Sequence, residues 1–147
     1  TTELGVSEIY PMVTQNTSSI FHKRMNQKII DRMTNIAISA AEQCGNDFIP
    51  QIHSPIKLEQ ILNFNDEETK FILYYEKARL DSKIDIKITD YKKVIILIGP
   101  EGGFTESEYS QISQKSLVLS LGENILRTET ASICAVHEVN RLIRSTL

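Results

Sequence analysis

The sequence predicts an α/β domain with a mostly parallel sheet flanked by helices, and three observations carry that prediction. Two stretches near the C-terminus repeat one plan: the aliphatic run Val94-Ile95-Ile96-Leu97-Ile98 enters Gly99-Pro100-Glu101-Gly102-Gly103-Phe104, and Leu117-Val118-Leu119-Ser120-Leu121 enters Gly122-Glu123-Asn124-Ile125-Leu126-Arg127. Short β-branched and aliphatic runs bounded by turn residues read as strands buried on both faces. Each run is followed by a helix start, and strand, exposed turn and helix is the arrangement in which an open α/β sheet places a ligand. The third observation is an amphipathic helix over residues 26–44, where Ile29, Ile30, Met33, Ile36, Ala37, Ala40, Ala41 and Cys44 recur at three- and four-residue spacing.

Taken in order, residues 6–13 read as a first strand interrupted by Pro11, and residues 14–19 as a polar loop before the basic cluster His22-Lys23-Arg24. Gly45 stops the long helix and Pro50 follows it. Its outer face carries Lys28, Asp31, Arg32 and Asn35; a solvated face is the plain reading, while Lys23, Arg24, Lys28 and Arg32 are the candidates for meeting phosphates. Residues 48–52 suggest a short strand near an edge, because Pro50 cannot donate to a central ladder. Residues 57–64 read as a short helix, 69–75 as a strand, and 76–91 as a charged surface connection.

Thr105 followed by Glu108 forms a capping box, with Phe104 and Tyr109 spaced to staple that helix start. A last strand over residues 116–121 leads to a helix over residues 128–144. In that helix Ala131, Ala135, Val139 and Leu142 form one stripe and Ile133, Val136 and Ile143 another, so two faces are expected to be covered, the second by another subunit.

At 147 residues the chain fits one domain, and its first residue, Thr1, suggests a fragment. It has no apolar run long enough to span a bilayer and no signal-peptide pattern, so the expectation is a soluble, cytoplasmic protein without a membrane partner. Cys44 and Cys134 lie in helical patterns and not at metal-ligand spacing, which predicts buried reduced thiols and no metal site. A net charge of −3 argues against gripping nucleic acid by bulk charge alone.

Gly99, Gly102 and Gly103 would let a backbone approach a ligand, and Pro100 would stiffen the turn. The spacing matches neither the dinucleotide fingerprint nor a P-loop. Together with the second turn, however, these stretches closely resemble the SPOUT superfamily of methyltransferases, and within it the family that methylates N3 of a uridine in bacterial 16S ribosomal RNA. The matching stretches are Thr2-Glu3-Leu4-Gly5-Val6, Ala40-Ala41-Glu42-Gln43-Cys44-Gly45 with Pro50, Leu97 through Phe104, and Leu121-Gly122 with Ile125-Leu126-Arg127-Thr128-Glu129-Thr130-Ala131. The likeness runs essentially end to end.

That resemblance implies a methyltransferase domain over residues 1–147 with a deep C-terminal trefoil knot, from which an N-terminal barrel of PUA type is absent. It implies a homodimer with the active site at the subunit contact, S-adenosylmethionine as cofactor, and 16S ribosomal RNA or the small subunit as partner. Carried over by position, Ile98, Gly99, Pro100, Gly102, Leu119, Leu121, Gly122, Ile125 and Leu126 would surround the cofactor, with Leu73 and Tyr75 as further candidates. The aliphatic members are equally consistent with plain core. Arg127, Glu129 and Glu101 are the candidates for chemistry: Arg127 for the cofactor carboxylate or charge developing on the base, Glu129 or Glu101 for the uridine proton. Glu129 in a first helical turn also suits the helix dipole.

Two departures matter. The family tends to have an arginine in the loop after the first strand, where this chain reads Gln15-Asn16-Thr17-Ser18, and another after the Gln-Cys-Gly motif, where it has Asn46-Asp47. Two alternatives therefore stand beside N3 methylation: a SPOUT methyltransferase for another RNA position, and a non-catalytic RNA- or nucleotide-binding module on the same fold.

Overall fold

The computed structural model describes residues 1–18, 26–64, 67–75, 78 and 90–144. Its centre is a three-stranded parallel sheet in the order β6-β5-β7, built from β5 (Thr69–Tyr74), β6 (Lys93–Ile98) and β7 (Ser116–Leu119). The register sets Tyr74 opposite both Ile98 and Leu119, so the three strands end level. Alternation along β5 sends Phe71 and Leu73 to one face and Ile72 and Tyr74 to the other. Central β5 is buried on both faces, whereas β6 and β7 pack on both faces but remain half-exposed along the sheet edge.

One face is covered by the one-turn helix α2 (Leu58–Ile61) and by α3 (Glu106–Ser113), whose Leu58, Ile61 and Ile112 close over Phe71, Leu73 and Leu97. The other is covered by α4 (Thr128–Arg144), whose Ala135 and Val139 meet Ile72, Tyr74 and Leu119. Burying each Leu, Ile, Val or Phe side chain among these supplies about 1.5–3 kcal/mol.

Helix α1 (Gln27–Cys44) starts where Asn26 accepts the Ile29 N–H at 3.2 Å and ends at Gly45, whose φ of 69° only glycine adopts without strain. Ala37 and Ala41 form its buried seam. The capping box of α3 is made as expected, with Glu108 accepting the Thr105 N–H at 2.9 Å and Thr105 accepting the Glu108 N–H at 3.3 Å.

Several expectations are corrected. The expected strand over residues 6–13 is two two-residue strands, β1 (Glu8–Ile9) and β2 (Met12–Val13), divided at Pro11, which has no N–H to give a ladder. They pair in parallel with β3 (Gln51–Ile52) and β4 (Ile56–Lys57) respectively. The strand expected over 48–52 is thus only its last two residues, and Phe48 and Ile49 are exposed. Both cysteines are free but exposed, because Cys44 is the final residue of α1 and Cys134 lies on the outward side of α4. Of the second stripe on α4, Val136 is buried and Ile143 packs on the sheet cluster, leaving only Ile133 exposed. The surface connection expected over 76–91 falls mostly outside the described residues.

Candidate functional site

The site is built at the level ends of β5, β6 and β7, where two corners leave the sheet. In the first, the Gly103 N–H donates to the Pro100 carbonyl at 2.8 Å, closing a turn in which Gly103 has a φ of +67°. Gly103 is a conformational requirement. Gly99 and Gly102 also leave room for their neighbours: a Cβ on Gly99 would stand 3.1 Å from the Phe104 ring, and one on Gly102 would stand 3.1 Å from Asn16 Cβ. The direction a side chain would take at these two glycines is thus occupied by Phe104 and Asn16.

In the second corner, the Ser120 hydroxyl donates to the Gly122 carbonyl at 2.9 Å, and Gly122 has a φ of +139°. The chain then passes Ile125 and Leu126 and enters α4, where the Ala131 N–H reaches the Arg127 carbonyl at 2.8 Å. The Thr128 hydroxyl donates to the Gly99 carbonyl at 3.3 Å, so the two corners meet.

Tyr75 donates its N–H to the Leu119 carbonyl at 2.9 Å and stacks its ring on Tyr109 at 4.3 Å. That carbonyl thus has one backbone partner. Tyr109 packs in the same cluster as Phe104, but its ring partner is Tyr75. Leu73 is fully buried and registered against Leu97 and Val118, so its side chain is core. Ile98 and Leu121 pack beside the cluster under α4. Ile125 stands out with 81 % of its surface exposed, an apolar side chain on a loop over the strand ends.

Arg127 and Glu129 are side by side, with nitrogen and oxygen 4.0 Å apart and side chains 87 % and 66 % exposed. At that exposure the pair contributes little to folding. Glu101 is exposed in the first corner. Lys28 and Arg32 are exposed on α1, whereas Lys23 and Arg24 lie outside the described residues.

Sequence reasoning missed the group that secures the first corner. Loop 14–17 lies against it: the Asn16 amide donates to the Gly102 and Gly103 carbonyls at 3.0 and 3.1 Å. The Gln15 N–H donates to buried Glu108 at 2.7 Å, on the oxygen not used by Thr105. Polar residues in a loop are the only local signal of this, and they do not name a partner 86 residues away.

Two further polar groups lie away from the strand ends. Glu8 accepts from Lys93 at 2.9 Å and from the Tyr10 hydroxyl, and pairs with His53 at 3.0 Å, while the Tyr10 and His53 rings stack at 3.9 Å. The Tyr10 hydrogen bond, then Lys93, holds the Glu8 carboxyl at about 2, below its ordinary 4.5. A cavity of about 430 Å³ lies between the Thr2–Leu4 turn and α4, lined in part by Glu3, Asn46, His137 and Arg144. None of the candidate site residues lines it, and its Arg141 is committed to Glu138 through bonds of 2.9 and 2.6 Å. Among the described residues, no His, Cys, Asp and Glu cluster could hold a metal ion, and no helix is long and apolar enough to cross a membrane.

Residues 1–140 match a family described as an RNA methyltransferase domain. The chain is 36% identical over 137 residues to the ribosomal RNA small subunit methyltransferase E of Buchnera aphidicola (subsp. Acyrthosiphon pisum), covering 91% of this chain and 53% of that protein. It is 34% identical over 133 residues to the protein of the same name from Mesomycoplasma hyopneumoniae, covering 89% and 56%. A crystal structure of ribosomal RNA small subunit methyltransferase E from Neisseria gonorrhoeae, bound to S-adenosyl methionine, superposes with a TM-score of 0.78 at 32% identity, covering 96% of this chain and 57% of that one. A Legionella pneumophila protein solved with the cofactor SAM bound gives a TM-score of 0.75 at 36% identity, over 95% and 57%. The chain thus spans about half the length of the relatives it matches.

Proposed function

The chain belongs to the RNA methyltransferase domain family, and from that premise we propose that it is the catalytic domain of an S-adenosylmethionine-dependent methyltransferase acting on N3 of a uridine in 16S ribosomal RNA. The observation that carries this reading is the Thr128 to Gly99 hydrogen bond, which brings the two corners together above the level strand ends. In a parallel α/β sheet that edge is where ligands bind. The site is also compatible with the group chemically: Ile98 and Leu121 are partly buried apolar residues at the two corners, and Ile125 is an exposed apolar side chain with surface left to cover. Relatives bearing the same fold have been solved with S-adenosyl methionine bound.

When bound, S-adenosylmethionine supplies an electrophilic methyl group on a sulfonium. The chain's own residues must do the rest. Uridine N3 carries a proton and is a poor nucleophile until it leaves, so Glu129 or Glu101 takes that proton and Arg127 steadies charge on the base or holds the cofactor carboxylate. Joining cation and anion cancels charge, which a site closed from water favours. These three side chains lie at the surface in one protomer, which supports a homodimer whose second copy closes the site.

The trefoil knot belongs to the same reading. It is supported by the order β6-β5-β7 and by the return of the segment after Gly122 to Gly99. An N-terminal barrel domain and cytoplasmic action on the small subunit are proposed with it, on the strength of the family resemblance; the chain spans about half the length of its relatives.

Titration calorimetry with S-adenosylmethionine is the first test: saturable binding is expected, and no binding to the folded chain would favour a non-catalytic RNA module. Nucleoside mass spectrometry of unmodified small subunits after reaction is the second. N3-methyluridine is expected, and a 2′-O-methyl product would move the acceptor to another position.

A further inference from the structure

We propose that Asn16 is a positioning residue for the cofactor site: its side-chain amide clamps the Gly102–Gly103 peptides, and donor binding depends on that clamp. The inference rests on the donor reading given above, but the clamp is a property of this chain's own geometry. Both N–H groups of one amide have a carbonyl within hydrogen-bonding distance, Gly102 at 3.0 Å and Gly103 at 3.1 Å. The side-chain donors of Asn16 are thus turned onto the corner.

The base of the clamp is itself fixed. The Thr14 N–H donates to Thr17 Oγ1 at 2.8 Å, and Thr14 is buried. The Gln15 N–H is held by Glu108, whose other oxygen caps α3 just beyond the corner. Loop 14–17, the corner and the start of α3 are therefore tied together by hydrogen bonds. Gly102 completes the fit, since an added Cβ would come within 3.3 Å of the Asn16 carbonyl oxygen as well as 3.1 Å of its Cβ. Without the amide, a turn containing a glycine at positive φ would sample other conformations and would have to be ordered each time the donor binds.

The test substitutes Asn16→Asp, which keeps the shape, removes both donors and sets a carboxylate against two carbonyls; Asn16→Ala is the second variant should the first fail to fold. Three quantities are read on the whole chain: the dissociation constant for S-adenosylmethionine by calorimetry, hydrogen exchange of the Gly103 amide that closes the turn, and the melting temperature. We expect binding to weaken roughly tenfold or more, a scale set by one to two lost hydrogen bonds, with faster exchange at Gly103 and melting shifted only a few degrees. On small subunits, KM for the donor should rise while kcat changes little. Unchanged affinity in a folded Asn16 variant overturns the inference, whether or not melting shifts, while leaving the donor reading intact. Absence of binding by the unsubstituted chain overturns the donor reading, and this inference with it.

Discussion

The Thr128 hydroxyl donates to the Gly99 carbonyl at 3.3 Å, tying the first residue of α4 to the residue that follows β6. The strands that lead into these corners, β6 and β7, pair with β5 and not with each other, so this bond is a direct tie between the corners where a donor would sit. Replacing Thr128 with Val keeps the branched shape and leaves a part-buried carbonyl without its partner. Stability should fall by about 1 kcal/mol, and affinity for S-adenosylmethionine should fall several-fold more than the loss of stability explains. Calorimetry together with urea unfolding checks this, and unaltered affinity would remove the bond from the site.

Arg127 offers the complementary case, a residue with little structural duty. Its side chain is 87 % exposed and its ion pair with Glu129 is long at 4.0 Å, so Arg127→Ala should change stability by less than about 0.5 kcal/mol. Turnover on the small subunit should nevertheless drop by about tenfold to a thousandfold if the guanidinium stabilises charge in the transition state. A rate equal to the unsubstituted chain would take Arg127 out of the chemistry.

These two residues also mark the boundary of what the amino-acid order reveals. The long helices, the strands read at 69–75, 94–98 and 116–121 and found at 69–74, 93–98 and 116–119, and the Thr105–Glu108 cap are readable because periodicity and capping are local. The split at Pro11 was visible as a break, but its consequence was not: two-residue parallel strands such as Glu8–Ile9 and Met12–Val13 carry no period. Burial of the cysteines was misjudged because Cys44 continues a helical stripe that the helix end leaves uncovered. The contacts that hold the site, Asn16 to Gly102 and Thr128 to Gly99, span 86 and 29 residues and involve backbone carbonyls, whose partners no side-chain pattern announces.

Gly102 illustrates how that changes a prediction. A valine there would be expected to block the donor if the glycine faced the pocket, but its open side faces Asn16 Cβ and the Asn16 carbonyl at 3.1 and 3.3 Å. Gly102→Val should therefore push loop 14–17 away first. Stability should fall by about 1–3 kcal/mol, the usual range for overpacking, and the Gln15 amide, now held by Glu108, should lose protection from exchange. A variant that loses donor affinity while Gln15 remains fully protected would restore the ligand-facing reading of this glycine.

Far from the corners, Glu8 gives the fold an acid-sensitive brace. Its carboxylate accepts from Tyr10 and Lys93 and pairs with His53, joining β1 to the segment after β3 and to the first residue of β6. The Tyr10 hydrogen bond first, then the Lys93 ammonium, lowers its pKa from 4.5 to about 2. A carboxyl with a lower pKa in the folded chain than in the unfolded one stabilises above the unfolded value and loses that contribution as pH falls through the folded value. Glu8 should therefore support the fold fully above pH 4.5 and progressively less toward pH 2. Tyr10 supplies the alkaline counterpart: burial, then Glu8, pushes its hydroxyl up to about 12, so its contribution should fade as pH rises from 10 to 12. Glu8→Gln should lower the urea midpoint at neutral pH by the equivalent of about 1 kcal/mol, discounted for partial exposure, and flatten the decline between pH 4.5 and 2. An equally steep acid decline in Glu8→Gln would assign it to other carboxylates, and the brace would then be a matter of packing between the Tyr10 and His53 rings.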